Sequence, residues 1–134
     1  WPEQYAVEGI CEWAHIPRME YASSLFAALS DPLRLRCLAL LARRGELCVC
    51  ELTHALSVAQ PKVSKHLAVL REAGLVRDRR EAQWVLYALA DDLPEWVDDA
   101  VAAAVRGVAD SGPCVTDAAR LVGVNLRAPK RAEG

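Results

Sequence analysis

The stretch between Gly45 and Gly74 limits the possible folds of this chain more than any other. Each glycine follows a helical pattern and can end it. Between them, Cys48 to Leu56 reads as one short helix, Ser57 to Gln60 as a tight turn, and Pro61 to Ala73 as a second helix. Val63, Leu67 and Leu70 recur on one face of that second helix, while Gln60, Lys62, Ser64, Lys65 and Arg71 fall on the other. Two helices joined by so short a turn form a helix-turn-helix, whose second helix is the one that enters a DNA groove.

The first of these helices opens with two thiols, in Glu46-Leu47-Cys48-Val49-Cys50-Glu51-Leu52. Residues i and i+2 of an α-helix point about 200° apart, so an intact helix is expected to keep the two sulfurs from one small ion. Binding by both would unwind the helix start. Thiolates suit soft, thiophilic ions, and two sulfurs leave at least one ligand to come from elsewhere. The alternative of packing as small hydrophobes is outweighed by the spacing and position. The same spacing makes a poor disulfide pair, which favours metal binding over thiol oxidation.

Upstream, Ala22, Leu25, Phe26 and Leu29 follow the i, i+3, i+4, i+7 rule of an amphipathic helix from Met19 to Leu29. Ser30 or Asp31 then caps a second helix that has Pro32 in its first turn. In it Leu35, Leu38, Leu41 and Ala42 face inward, Arg34, Arg36, Arg43 and Arg44 face outward, and Cys37 lies inert in the core. Downstream, Leu75 to Arg79 and Trp84 to Leu89 alternate as two strands of a hairpin, with Arg80 to Gln83 as its loop. The hairpin is a wing whose arginines pass near phosphates. A long helix from about Leu93 to Val108 carries the stripe Trp96, Val97, Ala100, Val101, Ala104 and Val105. A domain this small could hardly bury it without a second subunit.

The sequence therefore divides into a flexible arm over 1–18, a DNA-binding and dimerisation domain over 19–110, and a partly disordered extension over 111–134. The arm precedes Met19, which could be the natural start. With 134 residues one domain fits. The net charge of −2 conceals a basic segment: from Gln60 to Gln83 six cations (Lys62, Lys65, Arg71, Arg77, Arg79 and Arg80) face three anions. Five cysteines without a long apolar run point to a reducing cytosol, to free thiols and to no membrane partner. The three histidines are too scattered for a zinc site. No glycine-rich cofactor loop or acid–base pair suggests an enzyme or an organic cofactor.

The runs Leu29 to Leu35, Glu46 to Leu52, Gln60 to Leu67 and Leu70 to Val76, with the wing ending Trp84 to Tyr87, closely resemble the ArsR/SmtB family of metal-sensing repressors. The arsenic-responsive branch fits best, through Glu-Leu-Cys-Val-Cys-Glu-Leu. The resemblance implies a mainly α, homodimeric winged helix-turn-helix, joined through its terminal helices. Such a repressor binds double-stranded operator DNA and leaves it when As(III) or Sb(III) binds Cys48 and Cys50. It also places Ser64 and His66 at DNA-meeting positions; the outer face of the second helix and the basic wing add Gln60, Lys62, Lys65, Arg77, Arg79 and Arg80. Where the best-known arsenic motif has a third cysteine, this chain has Thr53. Cys11 is the expected third sulfur, ahead of Cys114, because about eight residues of arm reach roughly 25 Å when extended. An amino-terminal sulfur also resembles the cadmium- and lead-sensing branch. A cadmium or lead sensor, and a thiol-redox or persulfide sensor, are the alternatives on the same fold.

Overall fold

The computed structural model describes residues 17–127. Six helices and three strands follow one another as α1 (Arg18–Leu29), α2 (Pro32–Arg44), β1 (Glu46–Cys48), α3 (Val49–Leu56), α4 (Gln60–Glu72), β2 (Val76–Glu81), β3 (Trp84–Leu89), α5 (Glu95–Val108) and α6 (Gly112–Arg120). This is the expected winged helix-turn-helix, with α3 and α4 as its two helices and β2–β3 as the wing. The strands form one antiparallel sheet in the order β1-β3-β2.

Local chemistry sets the boundaries. The Asp31 carboxylate accepts hydrogen bonds from the amides of Leu33 (2.9 Å) and Arg34 (3.1 Å), capping α2 ahead of Pro32. Gly45 closes that helix at φ 87°, a left-handed conformation that penalises other residues. Between α3 and α4 a serine, Ser57, takes the left-handed conformation at φ 56°, and its amide donates to Thr53 O. The core gathers Leu25, Leu38, Leu41, Leu52, Leu67, Leu70, Leu75 and Leu121, each no more than 1% exposed.

Several expectations need correction. The inward face of α1 is Tyr21, Leu25, Ala28 and Leu29; Phe26 points out at 55% exposure. On α2, Leu33 and Leu40 join Leu38, Leu41 and, as expected, Cys37 in the core, whereas Ala42 is exposed. Strand β3 spans Trp84–Leu89 as expected, whereas β2 runs on to Glu81, because pairing continues through Arg79↔Leu86 and Arg80↔Val85 to Glu81↔Trp84. The loop is only Ala82 and Gln83. Strand β1 was not foreseen, and it pairs Glu46, Leu47 and Cys48 with Ala88, Tyr87 and Leu86. Two members of the α5 stripe, Val97 and Val101, are buried in the chain's own core at 0% and 5% exposure. Trp96, Ala100, Ala104 and Val105 are half-buried, with Trp96 edge-on to Tyr21 at 5.9 Å.

The extension after α5 is more ordered than its composition suggests. Helix α6 begins at Gly112, and the chain is placed as far as Arg127; the remainder of the expected tail lies outside the described residues. Asp117, fully buried, accepts two hydrogen bonds of 2.8 Å from Arg36 and a longer one of 3.4 Å from Arg120. Both arginines also donate to the last carbonyls of α3: Arg36 to Leu56 O (3.0 Å) and Arg120 to Ala55 O (2.8 Å). Arg36, expected on the outer face of α2, is therefore a structural ion. Burial of a carboxylate is costly unless it is paired and hydrogen-bonded, and here the pairing welds α6 to α2 and α3. Among the described residues no helix is long and apolar enough to cross a membrane.

Removing Asp117 would strand the guanidinium of Arg36 beside the end of α3. Asp117→Ala is expected to cost about 3 kcal/mol, the lower end for breaking a buried pair. Urea denaturation measures it, and a loss below about 1 kcal/mol would show that the clamp adds no more than a surface ion pair.

Candidate functional site

The two thiols meet at the junction of strand and helix. Cys48 is the last residue of β1 and the N-cap of α3, with extended φ −80° and ψ 163°, while Cys50 is the second residue inside the helix. Because Cys48 is not helical, the 200° separation expected within a helix does not apply. The Cα atoms lie 5.3 Å apart and the sulfurs are joined as a disulfide. Two expectations fall here. The pair converges on one point without unwinding α3, and its i, i+2 spacing is no obstacle to a disulfide.

A capping box holds this junction. The Cys48 amide donates to Glu51 Oε1 at 2.9 Å, and the Glu51 amide donates to Cys48 Sγ at 3.3 Å. The cap therefore joins backbone and side chain in both directions, with sulfur in the place usual for a serine or threonine oxygen. The Cys48 side chain faces the positive end of the α3 dipole. Glu51, only 2% exposed, was not singled out in the sequence, although a glutamate three residues after an N-cap is a recognisable signal. Arg127 was missed as well; its Nε lies 3.0 Å from Glu51 Oε1.

The other cysteines separate by position. Cys37 is fully buried, and burial pushes its thiol up to about 12, which leaves it inert as a ligand. Cys114, also buried, lies one turn before Asp117, which is tied to the far end of α3. The eight residues of α3 put that end about 12 Å from Cys48 at 1.5 Å per residue. Cys11 lies outside the described residues. Among those described, no group of three or more histidine, cysteine or acidic side chains is arranged to hold a metal ion.

On the second helix of the motif, Gln60, Lys62, Ser64 and Lys65 are exposed, as a DNA-reading face requires. The N-terminus of α4 has no side-chain cap; Pro61 lacks an N–H, and the amides of Lys62 and Val63 donate to Ala59 O at 3.1 and 3.2 Å. His66 is turned partly inward. Its Nδ1 lies 3.1 Å from Arg34 Nη1 and 3.7 Å from Asp31 Oδ2. Arginine only donates, so in the neutral imidazole Nδ1 accepts and the proton sits on Nε2. Arg34 also donates to Ala28 O (2.7 Å) and Ala27 O (3.2 Å), joining the end of α1 to α4.

The wing arginines are more engaged than their placement in a basic run suggests. Arg79 forms a two-pronged bridge to Glu46 (2.7 and 2.8 Å) and reaches Glu81 at 2.9 Å. Arg77 pairs with Asp92, and Arg71 with Asp78 at 2.9 Å. Since β3 lies between β1 and β2, the Arg79–Glu46 bridge crosses the sheet and ties the wing to the strand that ends in Cys48.

Comparison with known proteins agrees with this geometry. A model described as "Bacterial regulatory protein, arsR family" matches residues 31–78, the span from the Asp31 cap through both helices of the motif into the wing. The chain is 55% identical over 87 residues to the arsenic resistance transcriptional regulator ArsR1 of Pseudomonas putida, covering 65% of each chain. It is 51% identical over 72 residues to the arsenical resistance operon repressor of Escherichia coli, covering 54% of this chain and 62% of the relative. It thus spans less than two thirds of the length of both. Among solved structures, HlyU from Vibrio cholerae superimposes with a TM-score of 0.59 at 35% identity, covering 68% of this chain and 95% of that one.

The hydrogen bonds from Arg79 hold the Glu46 carboxyl below its ordinary range. A carboxylate with a lowered folded-state pKa lends stability that is present above its unfolded value and fades as pH falls through the folded one. The bridge between wing and β1 should thus stay intact across the neutral range and open only below the ordinary range of a glutamate carboxyl. The carboxyl carbon-13 resonance of Glu46 is expected to titrate at lower pH in the native chain than in Arg79→Gln. Coincident midpoints would mean that Arg79 does not hold the carboxylate in solution.

Proposed function

As a member of the arsR family of bacterial regulatory proteins, this chain is a transcriptional regulator and not an enzyme, and we propose that it is an arsenite- or antimonite-responsive repressor. In this reading it binds operator DNA as a homodimer in the cytoplasm and leaves it when trivalent arsenic or antimony binds Cys48 and Cys50. The observation that carries the reading is the convergence of two sulfurs at the first turn of the helix-turn-helix. Relatives named for arsenic resistance support the choice of ion. The soft donor set fits it too.

On the DNA side, Lys62, Lys65 and Arg80 are the cations of the α4–wing face without an ion pair to another described residue. Gln60 and Ser64 are exposed on the first turns of α4, where the positive end of the helix dipole suits a phosphate. His66 offers Nε2–H outward because Arg34 occupies Nδ1. Arg77 and Arg79 reach DNA by exchanging carboxylate partners for phosphates, which links wing contacts to β1. Two copies are held by α1 and α5: Met19 and Phe26 expose 79% and 55% of their surface, and Trp96, Ala100, Ala104 and Val105 are left half-buried for a partner to cover. Val97 and Val101 support this face from within.

Cys48 belongs to both β1 and α3, so any rearrangement of the thiol pair acts on the recognition helix through α3 and on the wing through β3. Half-sites one helical turn apart, about 34–36 Å, demand a fixed spacing of the two recognition helices. A hundredfold loss of operator affinity requires about 2.7 kcal/mol of coupling, and DNA must weaken inducer binding by the same factor. The third sulfur comes from Cys11, since Cys37 is inert and Cys114 lies toward the far end of α3. A pair without it suits a two-sulfur site only.

A second reading is favoured by the bonded sulfurs themselves. A peroxide or low-molecular-weight disulfide would take two electrons and two protons from the thiols, leaving the Cys48–Cys50 disulfide and making the chain a redox sensor. Operator release by arsenite from fully reduced protein, without oxidant, supports the inducer reading; release by peroxide alone, with arsenite inert, replaces it with the second.

Three outcomes are expected. Lys65→Ala and Arg80→Ala should each weaken operator binding and reduce the slope of log affinity against log salt by about one, measured by fluorescence anisotropy. An unchanged slope removes that residue from the interface. Cys48→Ser and Cys50→Ser should bind the operator normally yet ignore arsenite, and a normal response from the double variant would refute the site. Arsenic X-ray absorption should find one sulfur fewer in Cys11→Ser and no change in Cys114→Ser; the reverse pattern would assign the third ligand to α6.

A further inference from the structure

We propose that Arg127 is a positioning residue of the thiol site: through Glu51 it holds the first turn of α3, and with it Cys48 and Cys50, in the arrangement that offers both sulfurs to one soft ion. The inference rests on the reading of that pair as the inducer site.

Glu51 and Asp117 are the buried carboxylates of the described chain. Each is matched by an arginine, because an unpaired buried charge is strongly unfavourable. For Asp117 the partners are Arg36 and Arg120; for Glu51 the cation is Arg127, 3.0 Å away and only 29% exposed itself. The buried Nε of Arg127 makes no well-aligned hydrogen bond, so the contact is one of charge with charge. Arg127 also acts electrostatically on Glu46, which places it near the two carboxylates that flank Cys48 in sequence.

The path of the chain explains how a residue so far downstream arrives there. Arg120 is anchored on Ala55 O at the end of α3, Leu121 is fully buried, and Arg44 donates to Leu121 O at 3.4 Å. The Arg127 amide donates to Asn125 Oδ1 at 3.1 Å, which turns the backbone locally. Residues from Asp117 to Arg127 therefore span α3 from its last carbonyls to its first turn.

Without Arg127, Glu51 relieves its burial by swinging toward water, which breaks its bond to the Cys48 amide and opens half of the capping box. The strand–helix junction then loosens at the residue that carries the first sulfur.

The test uses the full chain, reduced and free of oxygen, with arsenite as the probe. Arg127→Gln should weaken arsenite binding by about tenfold, the lower range for loss of an outer-shell partner. It should also speed hydrogen exchange at the Cys48 amide without arsenite. Arg127→Lys, which keeps the charge, should restore most of the affinity. In a Glu51→Gln background, Arg127→Gln should add nothing, because no buried charge remains to be matched. The proposal is overturned if Arg127→Gln binds arsenite and exchanges like the native chain, or if its effect persists in full in the Glu51→Gln background. A native chain that takes up no arsenite would sink the inducer assignment instead, and the arsenite-free exchange rates would still decide whether Arg127 holds the turn.

Discussion

The arrangement of this domain depends on a carboxylate that water cannot reach. Asp117 is held by Arg36 from α2 and by Arg120 from its own helix, and the same two guanidinium groups saturate the carbonyls that end α3. A short helix of eight residues has little stability of its own, so α3 depends on what grips its ends. The far end is gripped by this clamp. The near end is gripped by the capping box between Cys48 and Glu51, backed by Arg127. Between two such fixtures, a helix moves as a rigid lever when one fixture changes.

How much of this was legible in the sequence depended on range. Helix α4 and strand β3 could be read because their apolar spacing repeats over several residues and their packing follows it. The cap and the Gly45 stop of α2 are local chemistry: the sequence confines the cap to Ser30 or Asp31, and it is Asp31. Strand β1 was invisible: three residues carry no period, and Glu46 to Cys48 become a strand only because β3 offers an edge for pairing. That omission moved Cys48 into the helix and made its sulfur seem to point away from that of Cys50. The Arg36–Asp117 pair spans 81 positions, and nothing in either neighbourhood marks one as the partner of the other. The basic run of the wing showed where cations lie but not that Arg79 already has a carboxylate on each side.

Family resemblance reached further than pattern on function and less far on detail. It pointed to the thiol pair and the DNA-facing helix, both on the span that matches the arsR family. The contacts that support α3 come largely from α6 and the residues after it, beyond that span. Their role follows from burial and charge alone.

The outer edge of the sheet carries a separate consequence. Strand β2 pairs only with β3, and after Val76 its five residues Arg77, Asp78, Arg79, Arg80 and Glu81 are all exposed. An open strand edge invites another chain to extend the sheet, a common route to aggregation, and charged side chains are a usual defence. Any strand laid against this edge would have to bring its own side chains among five ionised groups of mixed sign. Crowded together at high local concentration, copies of this protein would find their wings poor templates for one another, so the hairpin can stay open to solvent without becoming a seed for fibres.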